Sequence, residues 1–236
     1  MPPYCDFDFA NIYNWSDKKS KTGISLLNKN LVIRMKDFTS DRIIVSYLGA
    51  DNDAKTATAL VNKFKEVTMV PEAVFSKGAP KTNSLLIKDD RDNFDYILSI
   101  EEMINLFGGK FKQKRKLIHR FTKNYPDHKV IILDFSKTTD VIHLNNLLTR
   151  WKDLKKSCDK EVDREFKALQ RLVENSSLYR IVNVGILYKD KLVAFTTNEI
   201  RKDYAIGGFG KADFLKIFVA TILRGKDTPK ADKKLE

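Results

Sequence analysis

Cysteine and histidine are scarce in this chain of 236 residues, and that scarcity narrows the chemistry. The two cysteines, Cys5 and Cys158, have no CxxC partner, and His119, His128 and His143 do not fall at metal-ligand spacing. No structural metal is expected, and both cysteines read as free thiols of a reducing cytosol. Long apolar runs are missing too: the longest, IFVATIL at Ile217–Leu223, is far below the ~20 residues that cross a bilayer. The N-terminal MPPYCDFDFA has neither a basic region nor an apolar core, so a soluble, cytoplasmic protein without a transmembrane segment is expected.

Glycine motifs for phosphates are absent as well. Gly210-Lys211 resembles the end of a P-loop, but the positions that need glycine and Ser or Thr hold Ala205 and Ala212. There is no G-x-G-x-x-G fingerprint, and no R/Q-x-x-G-x-G/A turn of the kind that holds the pyrophosphate of coenzyme A. A CoA-dependent acetyltransferase therefore lacks its binding loop, and no cofactor is expected. No serine or cysteine sits in an elbow motif or near a histidine in sequence, so covalent catalysis has no positive support.

What is present is positive charge. Lysine and arginine number 43 against 31 acids, giving a net charge of +12, so the surface should attract polyanions. The excess is densest in FGGKFKQKRKLIHRFTKNYP, residues 107–126, with seven lysines and arginines and no acid. Projected as one helix, Phe107, Phe111, Leu117, Ile118, Phe121 and Tyr125 fall on one arc of roughly 120°. Lys112, Arg115, Lys116, His119, Arg120 and Lys123 lie opposite, while Lys114 sits near the centre of the apolar arc. At that position a lysine either snorkels to the helix edge or neutralises an anion in a cleft. For Arg115, Lys116, Arg120 and Lys123 the choice is between a solvated face and phosphate contact along RNA.

The pattern of the chain predicts an α+β protein. ISLLNKNLVIRM forms two short strands about Asn28-Lys29-Asn30, RIIVSYLG a third, and an amphipathic helix begins at Ala54. The aromatics of FDFANIYNW, residues 7–15, are expected to pack on the core as an N-terminal anchor. Residues 89–95 are an acidic, turn-prone bridge, DYILS predicts a buried strand, and Ser99 with Glu102 has the spacing of a helix capping box. HKVIILDFS predicts a strand buried on both faces. Two helices follow, capped at Thr139 or Asp140 and carrying Leu144, Leu148, Trp151, Val162, Phe166 and Leu169, then a hairpin about Lys189-Asp190 and a last strand, DYAIGGFG. The tail at 225–236 is polar and expected to be disordered.

FDFANIYNW, NFDYILSIEEMINLFGGKFKQKRKLIHRFTKNYP and GILYKDKLVAF, taken in this order, resemble the C-terminal catalytic domain of phosphatidylglycerol lysyltransferases and its stand-alone cytosolic relatives. The middle block is the specific part, with Asp95-Tyr96, Gly109-Lys110, Lys114-Arg115 and Arg120-Phe121 in order. The resemblance spans about residues 7–212. It implies tandem GNAT-like (acyl-CoA N-acyltransferase-type) domains with mixed, mostly antiparallel sheets, related to Fem-type aminoacyltransferases. It places the first at residues 1–126 and a second, incomplete one at 127–224. It further implies transfer of an aminoacyl group from aminoacyl-tRNA to an unidentified acceptor, an anionic lipid being one candidate. Lys114 and Arg115 are the implied substrate-binding residues, and Lys110, Arg120 and Lys123 the implied tRNA- or phosphate-binding residues. No catalytic residue is assigned. Relatives carry a later block resembling N-R-E-x-D-x-G-x-x-G-L-R-x-A-K, and a glutamate where this chain has Gly210. Without them the second half reads as truncated, and the alternative to an active transferase is a non-catalytic RNA- or anion-binding module.

Overall fold

The computed structural model describes residues 7–16, 22–37, 42–75, 85–155 and 160–213. The expectations for Cys5, Cys158 and the tail at 225–236 lie outside these residues. The chain divides into two compact units, Met1–Tyr96 and Ile97–Glu236. Among the described residues every strand pair is antiparallel, which agrees with the mixed α+β reading. Among the described residues no helix is long and apolar enough to cross a membrane.

The first unit opens with helix α1 (Phe9–Trp15), capped by the Asp8 carboxylate accepting from the Ala10 N–H. Its buried residues are Ala10, Ile12 and Asn14, whereas Phe9 and Tyr13 stack on each other at the surface. The expected aromatic anchor is corrected for Phe9 and Tyr13, whereas Phe7 and Trp15 are half-buried: the helical period turns the small and aliphatic side chains inward and the rings of Phe9 and Tyr13 out. Strands β1 (Gly23–Leu27), β2 (Asn30–Lys36) and β3 (Ile43–Leu48) form a sheet in that order. Asn28 and Lys29 both have positive φ, the two-residue turn whose twist suits a hairpin. Helix α2 (Asp53–Phe64) packs Ala57 and Leu60 on Val32, Val45 and Tyr47. Asn30, fully buried, donates to the Asp51 carbonyl and to Thr56 Oγ1 and accepts from the Asp51 N–H, locking the hairpin to the loop before α2.

The second unit begins with helices α3 (Ile100–Asn105) and α4 (Lys112–Asn124), followed by strand β4 (Lys129–Leu133). Helices α5 (Thr138–Lys155) and α6 (Lys160–Glu174) precede strands β5 (Ile181–Tyr188), β6 (Lys191–Ile200) and β7 (Ala205–Ala212). The sheet runs β4-β5-β6-β7. On one face Phe121 of α4 packs against Val184, Ile186 and Ala194. The opposite parity carries Gly185, where an added Cβ would meet Leu192 and Leu133 at 2.7 and 3.1 Å. Leu144, Leu147, Leu148 and Trp151 of α5 and Ala168, Leu169 and Leu172 of α6 are buried.

Three expectations need correction. Residues 95–98 form no strand, and Tyr96 and Ile97 are 94% and 84% exposed; aromatic and β-branched residues favour a strand only where a partner covers them. Strand β4 is the edge of its sheet, so it is only partly buried, with Ile132 39% exposed. The basic stretch is not one helix from 107: Leu106 and Gly108 have positive φ, a 3₁₀ turn covers Gly109–Phe111, and α4 starts at Lys112. Phe107 is therefore exposed rather than on the apolar arc.

Candidate functional site

The α3–α4 corner carries all five residues singled out by the sequence. Ser99 caps α3, its hydroxyl accepting from the Glu102 N–H at 3.3 Å. At the other end the Leu106 N–H returns to the Glu102 carbonyl, and left-handed Leu106 stops the helix. Met103, Leu106, Phe111 and Ile118 then close a small apolar core beneath the corner.

Arg115 ties this corner together, donating from Nη1 to the carbonyls of Leu106 and Gly108. These carbonyls lie where the chain leaves helical geometry, and a guanidinium satisfies them with charge-assisted bonds. Lys110 pairs with Glu102 at 2.7 Å and lies 5.1 Å from the centre of the Phe111 ring. Both partners of that pair are more than half exposed, so it contributes little to stability.

Lys114 is half-buried, as its place between Phe111 and Ile118 on the helix predicts. Its ammonium meets the Met103 thioether at 3.7 Å, and no carboxylate pairs with it among the described residues. A thioether is a weak acceptor, so most of the hydrogen-bonding capacity of this ammonium is unspent. Arg120 and Lys123 are exposed on α4, with Lys112, Lys116 and His119. No acid occupies the first turn of α4, so Lys112 and Lys114 meet the positive end of the helix dipole, whereas Lys123 in the last turn meets its negative end. Packing of Ile118 and Phe121, not charge, holds the helix in place.

A second charged group escaped the sequence. Lys211 of β7 pairs with Glu165 of α6 at 2.5 Å and lies 4.5 Å from the centre of the Trp151 ring. Beside it, Lys152 pairs with Asp163 at 2.7 Å, and Arg150 with Asp213 at 3.0 Å. The Lys152 ammonium holds the Asp163 carboxyl below its ordinary range. These pairs bridge helices and strand as far as 63 residues apart, and no local pattern signals them. Lys211 already has its counter-charge, so it offers an incoming anion less than Lys114 does.

No curated protein matches the sequence. A crystal structure of a conserved protein of unknown function from Bacteroides thetaiotaomicron is similar, with TM-score 0.71 and 19% identity over 95% of this chain and 77% of the other. The crystal structure of a C-terminal domain from Agrobacterium fabrum, described there as belonging to a lysylphosphatidylglycerol synthetase, matches with TM-score 0.50 and 9% identity, covering 94% of this chain and 71% of that one. At these identities the two likenesses concern the fold. The sequence itself matches the family "Phosphatidylglycerol lysyltransferase, C-terminal" over residues 3–205, a span that contains the first sheet, strands β4 to β6 of the second and the whole α3–α4 corner, and the chain therefore belongs to that family.

Proposed function

We propose that this protein is an aminoacyltransferase that takes its aminoacyl group from aminoacyl-tRNA and passes it to an acceptor, with an anionic lipid as one candidate class. Family membership supports the aminoacyltransferase-like function. The observation that carries the finer reading is Lys114, a half-buried ammonium whose described partner is a thioether. Half-burying a charge costs free energy, and an anionic group of the substrate would offset that cost. Arg115, beside it, is the second substrate-binding candidate and also holds the corner in shape, while Lys110, Arg120 and Lys123 are suited to phosphates along the RNA.

Chemically, the acceptor hydroxyl or amine attacks the ester carbonyl. A new ester or amide bond forms, the bond to the tRNA ribose oxygen breaks, and the acceptor's proton ends on that ribose oxygen. The donor is already an activated ester, so orientation, charge stabilisation and exclusion of water suffice. In the same proposal the chain consists of tandem GNAT-like halves at 1–126 and 127–224, with a tail at 225–236. The uninterrupted order of β4, two helices and three antiparallel strands supports a second half of that kind. On this division α3 and α4 close the first half in sequence.

The test uses charged tRNA, vesicles containing phosphatidylglycerol, and Lys114→Ala. Wild type is expected to bind charged tRNA with steep salt dependence and to transfer label to lipid. Lys114→Ala should lower kcat/KM by roughly ten- to a hundredfold, the range for losing a hydrogen bond to a charged group. Unchanged binding and transfer would mean that Lys114 merely snorkels. Salt-dependent RNA binding with no transfer to any acceptor would favour the non-catalytic binding module.

A further inference from the structure

Strand β1 is an edge of the first sheet, and among the described residues it pairs only with β2. The two-residue turn at Asn28-Lys29 makes Leu27 and Asn30 a hydrogen-bonded pair, and alternation along the ladder then turns the N–H and C=O of Ile24 and Leu26 away from β2. No backbone group meets them there among the described residues. The strand GISLL contains no charge, proline or bulge, the devices that ordinarily blunt an edge.

The side chains on this edge are apolar and face water. Ile24 and Leu26 are 52% and 75% exposed, whereas their neighbours across the ladder are Ile33, 1% exposed, and Leu31, half-buried. One face of the sheet is therefore dry at β2 and open at β1, and a further strand beside β1 would continue it. Charge at the two ends of the strand selects the occupant. Lys18, Lys19 and Lys21 precede β1 and Lys29 follows it, against one acid, Asp17. Self-pairing is disfavoured, because antiparallel β1 strands of two copies centred on Ser25 would set Lys21 of each opposite Lys29 of the other. A segment with acids at its ends meets attraction at the same two places.

We propose that β1 is a docking edge for an extended, acid-flanked segment of a partner protein, which adds to the sheet as an antiparallel strand. The main chain of the segment exchanges both hydrogen bonds with Ile24 and both with Leu26. Apolar side chains at the two positions opposite these residues lie on the open face beside them, and acids at the ends of the segment answer the lysines before and after the strand. Main-chain bonds thus supply the attraction, the alternate apolar side chains the fit, and the charges the choice of partner.

The experiment uses the full chain and a fluorescein-labelled peptide, Glu-Asp-Thr-Val-Thr-Val-Thr-Asp-Glu, whose valines stand opposite Leu26 and Ile24. Fluorescence anisotropy should show saturable binding that weakens as salt is raised from about 50 to about 300 mM. The same peptide with both valines N-methylated keeps its charge and side chains but loses its donors to β1, and it should bind at least about tenfold more weakly. Leu26→Pro removes an outward N–H without touching a bond to β2, so it should weaken binding about tenfold while circular dichroism is unchanged. Lys29→Asp, at a turn position whose positive φ aspartate accepts, should weaken binding and flatten its salt dependence. Absence of saturable binding would overturn the proposal, and so would binding indifferent to N-methylation, which would reduce the contact to charge alone. A dimer in sedimentation velocity that Leu26→Pro dissolves would also overturn it, by assigning the edge to a second copy. The N-methylated peptide is read on the unaltered chain, so the proposal is decided even if Leu26→Pro fails to fold.

Discussion

Replacing Tyr47 by phenylalanine removes a single oxygen from the core of the first unit, and its effect can be worked out from the surroundings. Tyr47 is 0% exposed among Val45, Val32 and the α2 residues Ala57 and Leu60, and its hydroxyl finds no hydrogen-bond partner among the described residues. Leaving a buried hydroxyl unsatisfied costs about 1–3 kcal/mol, so Tyr47→Phe should gain on the order of 1 kcal/mol near neutral pH once relaxation is allowed for. The phenol pKa is pushed up to about 12, first by burial and then by the negative charge of Asp53. The folded state thus holds this proton more tightly than the unfolded chain, whose phenol titrates near 10. The resulting stabilisation is complete below about pH 10 and is lost as pH rises from there towards 12, amounting to roughly 2–3 kcal/mol in all. Phenylalanine carries no such proton, so the advantage of the variant should widen over that window. Urea unfolding of both proteins at about pH 8 and about pH 11, followed by tryptophan fluorescence, measures the difference and cancels other alkaline titrations. A variant less stable than wild type by more than about 1 kcal/mol at neutral pH would mean that the hydroxyl is satisfied. A difference that stays flat with pH would mean that burial does not hold the proton.

Two further substitutions separate shape from recognition. Arg115→Ala removes the donor to the Leu106 and Gly108 carbonyls and should cost about 1–2 kcal/mol, with faster amide exchange between Leu106 and Phe111. If exchange there is unchanged while RNA binding falls, Arg115 contacts ligand and does not brace the corner. Asn30→Ala takes the partner from the part-buried Asp51 N–H and carbonyl and leaves the Thr56 hydroxyl with the Asn28 amide alone, so urea unfolding should show a loss of about 2 kcal/mol; a loss below about 1 kcal/mol would refute that accounting.

Much of the fold was legible because it is written in short-range chemistry. The hairpin turns at Asn28-Lys29 and Lys189-Asp190 and the Ser99 cap depend on residues within a few positions of one another, and all three stand where their patterns put them. The half-burial of Lys114 follows from its place between Phe111 and Ile118 on one helical face. Misreadings arose where a local pattern needed a distant partner. DYILS has the composition of a strand, but strand formation requires a neighbour for its N–H and C=O groups, and composition says nothing of that. Projecting residues 107–126 as one helix ignored what Leu106 and Gly108 do to the chain, which sets Phe107 outside α4.

The sequence by itself determined the period of most elements, the excess of positive charge, the gathering of that charge on α4, and the family. These rest on residue order alone. Only the tertiary structure decided that the Lys114 ammonium lies against Met103 while Lys211 is already matched by Glu165, and that Arg115 spends its guanidinium on backbone carbonyls. The reason is distance in three dimensions: electrostatic and hydrogen-bonding energies fall off over a few ångströms. Residues 46 positions apart, as Glu165 and Lys211 are, meet only once the sheet and helices are packed.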